Sequence, residues 1–122
     1  VLKCDEGENF FEFQGRSAIP KLESEDGLCN LAIIGALDLV EHVQWYDFRA
    51  KPGGILESEP HQAGCVEHLY VMAGELEITV GGEARQVRAG HSIRYSGDQP
   101  HSIRNIGQVD AHATMVLVMR TP

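Results

Sequence analysis

Positive charge is what this 122-residue chain has least of. Ten Lys plus Arg stand against eighteen Asp plus Glu, a formal net charge of −8. A domain with that balance repels phosphate backbones, and the sequence has neither a helix-turn-helix pattern nor a basic face, so it is not expected to grip nucleic acid by itself. Long apolar runs are missing too. None approaches the roughly 20 residues of a membrane helix, and no signal-peptide pattern opens the chain, so no membrane partner is expected. Cysteine is limited to Cys4, Cys29 and Cys65, an odd number at irregular spacing that argues against a disulfide scaffold and for a reduced, cytoplasmic setting. The first residue is Val1 rather than Met, from which we expect a fragment or processed product. What remains is ordinary globular composition, 43% apolar and 23% charged. That suffices for one buried core and excludes disorder.

Residues 1–30 are the least regular part. Cys4 to Glu8 and Lys21 to Gly27 are acidic and turn-prone, with Phe10, Phe11, Phe13 and Ile19 as apolar anchors between them. We expect an arm or linker with a possible short strand, lying over the domain or over a partner subunit. Residues 31–122 carry the pattern of strands. Leu31 to Leu39 is a nearly continuous apolar run, consistent with a buried strand or two around a turn. His42 to Arg49 is rich in aromatics, and Pro52-Gly53-Gly54 breaks the chain. Leu76, Ile78 and Val80 alternate with polar residues, and Gly81-Gly82 makes a two-residue hairpin turn. Glu83 to Arg88, Ser92 to Tyr95, Pro100 to Ile106 and Ala113 to Met119 follow between Gly-containing turns. About nine short strands and no amphipathic helix predict an all-β, antiparallel sandwich or barrel, with the jelly roll among the candidates.

Six histidines are available, and strand faces sort them. In Glu67-His68-Leu69-Tyr70-Val71-Met72, alternation puts Glu67 on one face with Leu69 and Val71. If that face is the core, Glu67 is a buried carboxylate, costly unless paired, hydrogen-bonded or metal-bound. His101 shares a face with Ile103 and Asn105, and His61 follows Pro60. Two histidines and a carboxylate converging from separate segments would form a donor set for a divalent transition metal. His68 should face away from such a site and His91 sits beside a turn, while His42 and His112 match nothing. Cys65 could approach a metal as a thiolate or fill space as a small hydrophobe. Arg94 is a surface charge if Ile93 and Tyr95 face the core, and a carboxylate clamp if the strand is reversed.

These residues fall into recognisable motifs. His61-x-Ala63-x3-Glu67-x6-Gly74 and Gly90-x5-Ser96-x-Asp98-x2-His101-x3-Asn105 resemble, with spacing kept, the two motifs of the cupin family. The resemblance runs from Gly54 to Asn105. It implies a cupin-type antiparallel jelly-roll β-barrel whose metal ligands are His61, Glu67 and His101, holding one divalent ion, Zn, Ni, Fe or Mn. Ala63 stands where cupins usually have a second histidine, Ser96 and Asp98 replace the usual proline and glycine, and His91 replaces a common aspartate. Arg94 and Tyr46 enter as ligand-binding candidates.

Fold alone does not give function. The stretches around Pro60 to Val71 and Ile93 to His101 are similar to small cupin domains that follow a helix-turn-helix domain in XRE-type bacterial regulators, particularly those linked to amino-acid and sulfur metabolism. This implies a domain that senses a small metabolite, such as an amino acid, and works as a homodimer, with DNA contacted only through a domain absent from this chain. The alternative is a stand-alone metal-dependent enzyme of the dioxygenase or isomerase type. It needs a second acid–base group in the pocket, and none has a clear place in the sequence.

Overall fold

A computed structural model describes residues 9–35 and 37–119. Ten strands run antiparallel: β1 (Lys21–Glu23), β2 (Cys29–Ile33), β3 (Val43–Ala50), β4 (Ile55–Ser58), β5 (Val66–Ala73), β6 (Glu75–Val80), β7 (Glu83–Arg88), β8 (Ser92–Ser96), β9 (His101–Asn105) and β10 (Ala111–Val118). They form a six-stranded sheet in the order β1-β2-β3-β10-β5-β8 and a four-stranded sheet in the order β4-β9-β6-β7. The only helical elements among the described residues are two short 3-10 turns, Arg16–Ala18 and Leu37–Leu39. The architecture is the antiparallel jelly-roll barrel expected from the alternation and the turns.

The period of two does the sorting. In β10, Ala111, Ala113, Met115 and Leu117 are buried while the residues between them are half-covered. Leu69 and Val71 of β5, Leu76 and Ile78 of β6, Phe48 of β3 and Ile103 of β9 bring both sheets into one contiguous core. Burial at this level is the dominant favourable term for a domain this small, since each fully buried side chain contributes about 1.5–3 kcal/mol. Gly74 joins β5 to β6 at φ 82°. A Cβ there would lie 2.8 Å from the Ala111 backbone, so both the left-handed conformation and the close approach of β10 require glycine.

Of the arrangements open to the apolar run Leu31 to Leu39, the structure has the single strand, which ends at Ile33 and is followed by the 3-10 turn, with Gly35 passing closely over Trp45. Residues 30 and 31 are neighbours within β2, whose Cys29 is fully buried and pairs with Ala50. The polar stretch before it is held locally. The Asp26 carboxylate accepts hydrogen bonds from the Ser24 hydroxyl and the Leu28 N–H, and from the Ile55 N–H of β4 in the opposite sheet. Cys4 lies outside the described residues.

Candidate metal centre

Alternation along β5 turns Glu67 inward with Leu69 and Val71, leaving it 2% exposed. Along β9 it buries His101, Ile103 and Asn105 together. His61 comes from the loop between β4 and β5. The three meet: His101 Nε2 lies 2.6 Å and His61 Nε2 3.1 Å from the same oxygen, Glu67 Oε2. One ligand atom from each residue lies within 4.8 Å of the others. The two imidazole rings are 5.2 Å apart and tilted. His61 is the member of the cluster that faces solvent, with a third of its side chain exposed.

The surrounding groups orient this cluster. His101 Nδ1 lies 2.8 Å from the Gln99 carbonyl. A carbonyl only accepts, so Nδ1 carries the proton and Nε2 is turned toward the cluster. That Nε2 is buried and has no hydrogen-bond partner of acceptable geometry despite its nearness to Glu67. The Tyr95 hydroxyl donates to the other carboxylate oxygen, Glu67 Oε1, at 2.7 Å. Burial alone would raise the Glu67 pKa, but the contacts with His101 and Tyr95 and the nearby histidine charges outweigh it and hold the carboxyl below its usual range. Burial works against a charged His101, yet Glu67 and the Gln99 carbonyl bring its pKa above the usual histidine value. Tyr95 is pushed well above a normal phenol by burial and then by the Glu67 charge, so it remains a donor.

A buried carboxylate and two imidazoles, with the His101 Nε2 turned into the cluster and making no hydrogen bond, form a donor set that fits a divalent transition metal once the imidazoles are neutral. Cys65 does not join it. Burial first, then the charges of Glu67 and Asp98, raise its pKa, which keeps it a thiol packed under Gly97. A Cβ on Gly97 would stand 2.9 Å from the Cys65 sulfur and 3.3 Å from Glu67 Oε2.

The two motif loops are stitched together beside the cluster. The His61 N–H donates to the Gly97 carbonyl and the Gly97 N–H to the Cys65 carbonyl, both at 2.8 Å. The Asp98 carboxylate accepts from the Gly64 N–H at 3.0 Å. Asp98, which departs from the usual motif, thus serves as a clasp. Ala63 is exposed on the first loop.

Arg94 is not brought to the cluster. Ile93 and Tyr95 turn inward, so Arg94 stands on the outer surface opposite His68. Tyr46 faces inward and packs against the core, near enough for the Glu67 charge to act on its phenol, but its hydroxyl donates to Gln44 at 2.6 Å. His68 is half-buried on the outer face, and His91 is exposed. Sequence reasoning missed His112, whose Nε2 meets the Asp47 carboxylate across β10 and β3 while Arg49 holds the other oxygen at 3.1 Å. The positions are 65 residues apart, and only the strand pairing joins them. A separate groove of about 900 Å³ lies along β4 and β9, on the face away from the cluster, and is lined by Glu23, Glu25, Asp26, Glu57 and Glu59.

Residues 46–117 match the cupin domain family. Over 67 residues the chain is 34% identical to the HTH-type transcriptional regulator SutR of Escherichia coli (strain K12), a match covering 55% of this chain and 38% of that protein. The chain therefore corresponds to little more than a third of that regulator's length. The crystal structure of the cupin domain of an XRE family transcriptional regulator from Enterobacter cloacae superposes with a TM-score of 0.71 at 29% identity, covering 77% of this chain and 99% of that one. An HTH_3 family transcriptional regulator from Vibrio cholerae gives 0.71 at 16% identity over 80% of this chain and 54% of that chain. A predicted oxalate decarboxylase from Thermotoga maritima gives 0.68 at 18% over 84% and 92%. The last two are likenesses of fold.

Proposed function

Since the chain belongs to the cupin domain family, we propose that it is the metabolite-sensing domain of a bacterial transcription regulator, built around one divalent transition metal. The observation that carries this reading is the buried cluster itself. His61, Glu67 and His101 converge, with Glu67 oriented by Tyr95 and His101 by Gln99. A bound metal would supply Lewis acidity and a point of attachment for an oxygen or nitrogen of the ligand. The chain's own contribution is to hold Nε2 of His101 and Oε2 of Glu67 in place and to leave His61 at the solvent side. An amino acid fits such a site through its carboxylate, which would suit the metal. DNA would be contacted through another domain, as expected of relatives that are regulators. We take the working form as a homodimer and its compartment as the cytoplasm, in keeping with Cys29 and Cys65 as buried free thiols.

The enzyme alternative requires a free acid or base beside the metal. The Tyr95 hydroxyl is committed to Glu67 and that of Tyr46 to Gln44, which favours binding over turnover. Elemental analysis with native mass spectrometry on the purified protein tests the reading. We expect about one equivalent of zinc, nickel, iron or manganese and a co-purified small molecule. A protein that carries none of these metals and takes up none on titration overturns the metal-centred sensor.

A further inference from the structure

Three phenylalanines stand almost free in solvent: Phe10, Phe11 and Phe13 are 77%, 90% and 95% exposed. They lie in a stretch, residues 9–14, that joins no strand among the described residues, although its aromatics suit one. At the edge of the six-stranded sheet opposite β1, β8 is bonded to β5 on one side only. Half of its backbone donors and acceptors therefore point outward, and such an edge accepts an added strand. Two adjoining grooves of about 410 and 550 Å³ flank that edge and share Ser92, Ile93 and Arg94. The second also exposes Arg85, Arg88 and His91, a cationic patch on a chain of net charge −8.

We infer that residues 9–14 of one copy add as a strand to the β8 edge of a second copy, the two copies exchanging arms reciprocally. Alternation places Phe11 and Phe13 on one face of the arm and Phe10 and Glu12 on the other. On β8, Ile93 turns inward beside the buried Val87, and Arg94 turns outward. The phenylalanine face therefore meets Ile93 and Val87 while Glu12 meets Arg94. Charge agrees with this placement. Glu12 continues an acidic stretch, Asp5-Glu6-Gly7-Glu8, that has no Lys or Arg. Among the described residues, Arg88 and Arg94 have no ion-pair partner, whereas Arg85 already binds Glu83.

In its own chain the arm is tethered at the opposite edge of the sheet. It enters the sheet at β1, and β1 and β8 are the two outermost strands, about 24 Å apart across the sheet. The link from Gln14 to Lys21 includes the 3-10 turn Arg16–Ala18 and spans about 19 Å at most.

This inference rests on the homodimer reading, and one experiment separates the two. Sedimentation equilibrium of the wild-type chain should give a dimer. Phe11→Ser with Phe13→Ser should weaken the dissociation constant by about 100-fold or more, and Arg88→Glu with Arg94→Glu should also push it toward monomer. The charge reversals Glu12→Arg and Arg94→Glu should each self-associate poorly but form a heterodimer when mixed, because both exchanged contacts are then matched. The serine variants alter only exposed residues, so their barrel should melt as wild type does. A dimer whose affinity none of these variants changes overturns the arm exchange and leaves the homodimer standing. A wild-type chain that stays monomeric at about 100 μM overturns both.

Discussion

His101 and Asn105 occupy the two ends of β9, point to the same side and are both nearly inaccessible to water. Their hydrogen bonding differs completely. The Asn105 amide donates to the Ala50 and Val109 carbonyls at 2.9 Å each, and its oxygen accepts from the Gly107 N–H at 2.8 Å. It closes the turn after β9 and pins it to β3. His101 satisfies one nitrogen on Gln99 and sets the other against Glu67 Oε2 at 2.6 Å without a hydrogen bond. A buried polar group with all its bonds made belongs to the architecture. One held in place with a nitrogen outside any hydrogen bond is the group on which the proposed metal centre depends.

The contrast can be broken at either end. The largest effect is expected from His101→Ala, which should abolish metal uptake while the barrel still folds. Metal content and the thermal midpoint of the same preparation check it, and full retention of metal would sink the three-ligand centre. Asn105→Ala should do the reverse. Loss of three hydrogen bonds, one buried and two part-buried, costs about 3 kcal/mol of stability, read by urea unfolding, with metal stoichiometry kept. Tyr95→Phe sharpens the comparison from within the site. It releases Glu67 Oε1 without changing a ligand, and metal affinity should fall by about tenfold in competition with a chelator.

The smallest effect concerns a carboxylate remote from the cluster. The Asp26 pKa is lowered by the Ser24 hydroxyl and by the Leu28 and Ile55 N–H groups. A depressed folded pKa contributes stability above the unfolded value, and that contribution is lost as pH falls through the folded one. Urea midpoints taken below pH 4 should therefore drop less steeply in Asp26→Asn than in wild type. Parallel acid limbs would show that Asp26 contributes nothing.

The fold and the candidate cluster were legible because both are written at short range. Alternation in Glu67 to Met72 and in His101 to Asn105 assigns faces without reference to any other strand. Motif spacing then selects His61. What escaped depends on contacts between distant segments. Nothing near Tyr95 in sequence points to Glu67, nothing near His112 points to Asp47, and Asp98 reads as a departure until Gly64 is found above it. Arg94 shows the opposite case. Its outward direction follows from Ile93 and Tyr95 facing the core, but sequence alone leaves two orientations for that strand.

The position of β10 has a consequence for how the protein is made. The last of the ten strands sits in the middle of the larger sheet, between β3 and β5. Until it emerges from the ribosome, β1–β3 and β5–β8 are separate ribbons with open edges. The full sheet can close only after synthesis has passed Val118, and until then those edges invite pairing with other nascent chains.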